Sequence, residues 1–234
     1  MTKRLRGLTR PSCTTVSLLI GAVMDKPLPG KSGVRIMLDL SPAGIADRAE
    51  RFGFEPWQLR TPLTSYALSG VPYGLDNGCF SGRLPERWAG LLIEAKRTPP
   101  LWACAPDVVG SARRTLELFP RFARQMNGIP KALVLQDGIG DFDIPWGDLA
   151  CVFIGGSDGF KTSTEARQAA ITARMLGKWV HVGRVNTAER MAHWLDLADS
   201  IDGSGVSRYD HMLADVLSVI RGERRHGDLF EEAA

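Results

Sequence analysis

The chain has 234 residues, which is enough for one sizeable domain and too few for two of ordinary size. Hydrophobic residues make up 44% of it and charged residues 24%, a profile that excludes a disordered chain, a collagen-like repeat and a disulfide-rich mini-protein. The formal net charge of +3 is compatible with a polyanionic partner but does not by itself indicate one.

The cysteines indicate a reduced, cytoplasmic protein without a metal site. There are four of them, and no two lie at the short spacing typical of a zinc site: Cys13, Cys79, Cys104 and Cys151. The basic segment 3–6 and the apolar run 16–24 resemble a signal peptide only faintly, and we interpret the run as a buried strand. No apolar run approaches the ~18 residues of a membrane span, so no membrane partner is expected.

Short apolar runs alternate with helical patterns along most of the chain. The runs predicted as strands are residues 16–23, 35–38, 73–75, 101–104, 132–135, 151–154, 179–182 and 200–201. The segments predicted as helices are residues 42–52, 85–96, 112–126, 162–176, 186–197 and 209–221.

This alternation predicts a parallel sheet closed into a compact (β/α)8 TIM-type barrel. We expect a single domain over residues 1–234, with 1–12 as a flexible arm and 223–234 as a frayed tail. An open doubly wound sheet is the alternative. The glycine-rich fingerprint that usually follows the first strand of that fold is missing here.

Polar residues follow the predicted strands at the ends that meet at the mouth of a barrel. They are Asp76, Asn77, Asp107, Gln136, Gly155, Gly156 and Asp202. Each alone is an ordinary turn signal, but Asp76 and Asp202 come from strands far apart in the chain. Carboxyls brought together can have their pKa values pushed apart, so that one serves as a nucleophile and the other as a proton shuttle. Such a pair suits cleavage at an anomeric carbon.

At these residues the sequence resembles the tRNA-guanine transglycosylase superfamily, whose (β/α)8 enzymes replace guanine in a polynucleotide with a 7-deazaguanine. The segment 75–80, Leu-Asp-Asn-Gly-Cys-Phe, is similar to the family's D-S-G-G-F motif, which implies that Asp76 is the general acid/base. Asp202, with Asp199 before it and Arg208 after it, matches the family's D-x-x-D-x₅-R pattern, which implies that Asp202 is the nucleophile.

The resemblance also implies a pocket for the exchanged base. The residues expected to line it are Asp107, Gln136, Gly155, Gly156, Asn77 and Phe80. The chain departs from the family in having no cysteine after Cys151, so the family's zinc site has no ligands here. Asn77 and Cys79 also stand where the family has serine and its second glycine.

A compact, zinc-free form is similar to the branch that inserts 7-deazaguanines into DNA in phages and genomic islands. The resemblance therefore implies a glycosyltransferase that replaces guanine in DNA with a base such as preQ0, through a covalent ester to Asp202, without metal or cofactor. Basic side chains on the same face are expected to hold the phosphates of the nucleic acid: Lys161, His181, Arg184 and Arg208.

Several alternatives stay open at this point. The substrate could be tRNA instead of DNA, or water could replace the incoming base, which would give a nucleoside or glycoside hydrolase with the same two aspartates. A non-catalytic barrel that binds nucleic acid or a purine is the third alternative. A DNA-modifying enzyme that extrudes its target base could also need a partner protein that opens the duplex. We expect the protein, encoded by a phage or a bacterium, to work in the host cytoplasm.

Overall fold

The computed structural model describes residues 33–223, and within them eight parallel strands form a closed barrel in the order β1 to β8. The strands are β1 (Arg35–Leu38), β2 (Trp57–Arg60), β3 (Tyr73–Leu75), β4 (Trp102–Cys104), β5 (Lys131–Leu135), β6 (Cys151–Ile154), β7 (Trp179–Val182) and β8 (Ser200–Asp202). The helices are α1 (Pro42–Phe52), α2 (Arg87–Arg97), α3 (Ala112–Gln125), α4 (Asp158–Lys161), α5 (Thr164–Met175), α6 (Ala188–Trp194), α7 (Ser204–Arg208) and α8 (Asp210–Ile220). The predicted barrel is confirmed.

The identity of the eight strands differs from the prediction at one place. The strand predicted over 16–23 lies outside the described residues, as do the predicted arm over 1–12 and the tail from 224 onward. The eighth strand of the barrel is β2, which is not among the strands predicted from the sequence, and it pairs with β1 and β3. Within the described residues, the barrel closes where β1 pairs with β8.

Strand β2 was missed because its outward side chains are polar. Gln58 and Arg60 are buried, and the chain runs from β2 to β3 through the irregular segment 61–72. Arg60 also pairs with Glu94 of α2 at 2.8 Å. Gln58 Nε2 donates to the carbonyl of Ala67 at 2.9 Å, and Arg60 Nε donates to that of Tyr66 at 2.9 Å. These side chains satisfy carbonyls that an irregular covering segment leaves unpaired, so polar residues replace the apolar ones expected there.

The connection from β5 to β6 also lacks an α-helix and contains only two 3₁₀ turns, Ile139–Asp141 and Trp146–Asp148. A groove of about 580 Å³ lies beside it on the outside of the barrel, against α3. No helix of the described residues is long and apolar enough to cross a membrane.

The interior of the barrel is filled by side chains from alternate positions of the strands, as is usual for this fold. They form a cluster distinct from the shell between strands and helices: Met37, Leu59, Trp102, Cys104, Ala132, Val134 and Cys151. Trp102 occupies the space beside Gly74, where a Cβ would lie 2.4 Å from the indole ring. A glycine in the middle of β3 therefore makes room for the tryptophan that forms the floor beneath the mouth.

Candidate functional site

A cavity of about 280 Å³ opens at the carboxyl ends of the strands. Its lining consists of Asp76, Asn77, Phe80, Asp107, Val109, Val134, Gln136, Phe153, Gly155, Gly156, Lys161, Gly183, Arg184, Asp202 and Ser204. Every site residue predicted from the sequence lines it, except His181 and Arg208. The convergence follows from the barrel, because each residue stands at or just after the end of a strand.

Asp76 follows β3 and lies deep in this cavity. Its backbone N–H donates to the carbonyl of Arg60 at 2.8 Å, and its Oδ2 accepts from the Gly78 N–H at 3.3 Å. Burial, followed by repulsion from Asp202 and Asp107, raises the pKa of Asp76 from its ordinary value of 3.8 to about 7. Asp76 is therefore able to exchange a proton near neutral pH.

Asp107 is held by two amide side chains. Asn77 Nδ2 donates to one carboxylate oxygen at 2.8 Å, and Gln136 Nε2 donates to the other at 2.5 Å. The amide oxygens are also engaged, because the Cys79 N–H donates to Asn77 and the Gly110 N–H donates to Gln136, each at 2.8 Å. Burial raises the pKa of Asp107, while these hydrogen bonds oppose the rise.

This network changes the interpretation of Asn77 and Gln136. Both were predicted to contact a bound base directly, but both are almost fully buried and their amide atoms are already paired within the protein. They orient Asp107, which keeps unpaired lone pairs for a ligand, and their own contact with a base stays a prediction.

Asp202 ends β8 and faces the cavity with 14% of its side chain exposed. Its Oδ1 lies 3.0 Å from His181 Nε2. His181 itself is fully buried inside the barrel, and its other ring nitrogen lies 2.7 Å from Ser200 Oγ. The predicted contact of His181 with phosphate is therefore corrected, since both nitrogens are used and the ring does not reach the surface.

The two glycines after β6 have different roles. The Gly155 N–H was predicted to contact a ligand. It donates instead to the carbonyl of Leu135 in the strand ladder at 3.1 Å. Gly156 has a left-handed backbone with φ of 71°, and a Cβ there would lie 2.7 Å from Asp137 Oδ2. Its N–H has no partner among the described residues, and its carbonyl accepts from Lys161 Nζ at 3.2 Å.

Two cations line the opposite side of the cavity from Asp76. Lys161 is only 2% exposed, and burial, together with nearby Arg184, lowers the pKa of its amine. Arg184 is exposed, has a left-handed backbone with φ of 62°, and places its guanidinium 4.6 Å from the centre of the Phe80 ring. Phe80 is 65% exposed. This contact connects the loops after β3 and β7 across the mouth.

Asp39 is a residue of this region that the sequence analysis missed. It directly follows β1, so the rule applied to the other strands would have found it. Thr64 Oγ1 donates to its carboxylate at 2.6 Å, and its pKa is raised by burial and by Asp202 but lowered by Arg208. Arg208, at the end of α7, thus lies near this carboxylate and does not line the cavity.

No group of three histidine, cysteine, aspartate or glutamate side chains within residues 33–223 is arranged to hold a metal ion. The chemistry that the described side chains offer by themselves is proton transfer, hydrogen bonding and charge stabilisation around one small cavity.

Comparison with known proteins gives little beyond the fold. No protein-family model matches the sequence, and no curated protein matches it. One similar solved structure is described as a 4-hydroxy-2-oxoglutarate aldolase/2-deydro-3-deoxyphosphogluconate aldolase from TTHB1. The superposition covers 80% of this chain and 90% of the aldolase chain. The two chains are 14% identical and superpose with a TM-score of 0.47.

These findings overturn the expectation drawn from the resemblance. Neither the family models nor the curated proteins support membership of the tRNA-guanine transglycosylase superfamily, so that expectation is corrected. The predicted exchange of guanine in DNA is corrected with it. A likeness at 14% identity concerns the arrangement of strands and helices, so the activity of this chain has to be argued from its own site.

Proposed function

We propose that the chain is an enzyme that cleaves a bond in a small ligand by acid–base catalysis, with Asp76 as the group that gives and takes the proton. The observation that carries the proposal is that Asp76 and Asp202 line the same small cavity, where burial raises the pKa of Asp76 to about 7. A carboxyl group with a pKa near neutrality is matched to proton transfer at physiological pH.

Asp202 has the complementary role. Its Oδ1 lies 3.0 Å from His181 Nε2, and this contact holds the carboxyl group at the cavity. A carboxylate facing the ligand stabilises positive charge that develops on carbon when Asp76 protonates the departing atom.

The two sides of the cavity suggest the class of ligand. Asp107 and Asp202 present acceptor oxygens, which fit a ligand edge with N–H donors such as a cyclic amide or amidine. Lys161 and Arg184 line the other side, which fits an anionic group such as phosphate or carboxylate. The volume of about 280 Å³ suits a small molecule.

The test uses a panel of small compounds that join a cyclic amide or amidine to a phosphate- or carboxylate-bearing group, with consumption followed by liquid chromatography and mass spectrometry. For a compound that is consumed, Asp76→Asn and Asp202→Asn are each expected to lower turnover about 10²- to 10⁴-fold. Turnover by the unchanged protein is expected to fall as pH rises through about 7, because Asp76 then loses its proton.

Asp148→Asn is the matched control, because Asp148 is exposed and precedes β6 at the opposite end of the barrel. Turnover by Asp76→Asn and Asp202→Asn at the rate of the Asp148→Asn control would contradict the proposal.

A further inference from the structure

A chain of hydrogen bonds runs through the interior of the barrel beneath Asp202. Trp179 Nε1 donates to Ser200 Oγ at 2.8 Å, and Ser200 Oγ lies 2.7 Å from His181 Nδ1. His181 Nε2 in turn lies 3.0 Å from Asp202 Oδ1. Ser200 and His181 are fully buried, so water does not compete for these bonds.

The donors and acceptors fix the direction of the chain. An indole N–H can only donate, so Trp179 occupies one lone pair of the Ser200 oxygen. The Ser200 hydroxyl has no other acceptor within hydrogen-bond distance among the described residues, so its proton points to His181 Nδ1. A neutral imidazole that accepts at Nδ1 carries its proton at Nε2, and that proton points to Asp202.

The surroundings hold the imidazole ring in one orientation. The ring packs against both Trp102 and Phe153, with each ring centre 4.6 Å from that of His181, and these two rings lie 5.8 Å from each other. Gly183 leaves room for the Phe153 ring, because a Cβ at position 183 would lie 2.5 Å from it. The histidine therefore has little freedom to rotate away from Asp202.

We infer that Trp179, Ser200 and His181 are positioning residues for Asp202: they hold His181 in the Nε2–H form, which directs Asp202 Oδ1 inward and leaves Oδ2 for the ligand. The inference rests on the proposed role of Asp202, but its structural part does not depend on turnover. His181 thus acts through Asp202 and does not bind the ligand itself.

The direct test is ¹⁵N NMR of the imidazole nitrogens of His181 at neutral pH. The expected result is a proton on Nε2 and a hydrogen-bond-accepting Nδ1, and Ser200→Ala is expected to increase the population of the Nδ1–H form. A proton on Nδ1 in the unchanged protein, or an unchanged ring in Ser200→Ala, would overturn the inference while leaving the proposed function intact.

Two substitutions of the histidine separate positioning from packing. His181→Phe keeps a ring packed against Trp102 and Phe153 but removes the N–H at Nε2. His181→Gln keeps an N–H near the position of Nε2. With a compound consumed by the unchanged protein, His181→Phe is expected to lower kcat about 10- to 100-fold with little change in KM, because Asp202 loses its orientation.

His181→Gln is expected to recover part of the lost kcat, and thermal unfolding shows whether both variants are folded. Equal kcat for His181→Phe and the unchanged protein would overturn the positioning role. So would a loss of kcat in the glutamine variant as large as in the phenylalanine variant when both are folded.

Discussion

The two sides of the cavity are built in different ways. On the side of β3 to β5, the carboxyl of Asp107 accepts hydrogen bonds from two amide side chains, and that of Asp76 accepts one from the Gly78 N–H. On the side of β6 and β7, the amine of buried Lys161 donates a hydrogen bond to the Gly156 carbonyl. Arg184 is exposed, and its guanidinium lies over the Phe80 ring. The acidic side is therefore fixed before a ligand arrives, whereas Arg184 can exchange its contact with Phe80 for one with a ligand.

Burial favours the uncharged form of the ionisable groups on both sides of the cavity. It raises the pKa values of Asp76 and Asp107 and lowers that of Lys161, so it favours the neutral form of each group. Desolvation thus outweighs the attraction between opposite charges across the cavity. For Asp76, the raised pKa of about 7 permits proton transfer near neutral pH, which is the property that the proposed function requires.

The largest expected effect concerns the acidic side and its dependence on pH. A carboxyl whose pKa is higher in the folded chain retains its proton there between the ordinary value of 3.8 and about 7, so the free energy of unfolding falls as pH rises through that interval. Asp76→Asn removes this loss. Between about pH 4 and about pH 8, the stability of the variant relative to the unchanged protein is expected to rise by about 4 kcal/mol.

Urea unfolding at the two pH values measures this difference. Asp148→Asn, at an exposed position, serves as the control and is expected to show little change in relative stability between the two pH values. If Asp76→Asn shows the same small change as this control, Asp76 does not carry the pH dependence, and the contrast between the two sides is lost.

The next effect concerns the floor beneath the acidic side. Gly74→Ala places a Cβ 2.4 Å from the Trp102 ring, which has no space to move inside the barrel. The expected loss of stability is about 1–3 kcal/mol, measured by chemical unfolding. Gly147→Ala is the control, because a Cβ there meets nothing within 4 Å. Equal stability of the two variants would show that the interior tolerates more volume than its packing indicates.

The smallest effect concerns the basic side. Arg184→Gly and Arg184→Ala both remove the guanidinium, but only glycine relieves the left-handed backbone with φ of 62°. We expect the glycine variant to be more stable by about 1 kcal/mol, with both variants equally impaired in binding an anionic compound. Thermal unfolding and calorimetric titration check the two halves of this expectation. Better binding by one variant would mean that backbone strain, and not only charge, contributes to the site.

The sequence predicts which carboxyls line the cavity, because that depends on the ends of strands. Asp76, Asp107 and Asp202 were found because a polar residue directly after a buried strand points to the mouth of a barrel. The side-chain partners were not predictable in this way. The pairing of Gln136 with Asp107 joins residues 29 positions apart, and no local pattern encodes it.

Strand β2 and His181 show the same limit in the fold. The polar Gln58 and Arg60 break the apolar pattern of β2 because they bind carbonyls of segment 61–72, which is a tertiary contact. The sequence predicts a phosphate contact for His181, because residue type alone does not indicate burial. The closed barrel encloses this side chain. The resemblance to transglycosylases was misleading because short motifs at strand ends do not establish a family.

The central claim is that Asp76 holds its proton near neutral pH in the presence of Asp202. A ¹³C NMR titration of the side-chain carboxyl of Asp76, assigned by comparison with Asp76→Asn, measures this directly. We predict a midpoint at about 7 that moves down in Asp202→Asn, because the repulsion between the two carboxylates is removed. A midpoint at the ordinary value of 3.8, the same in both proteins, would contradict the account.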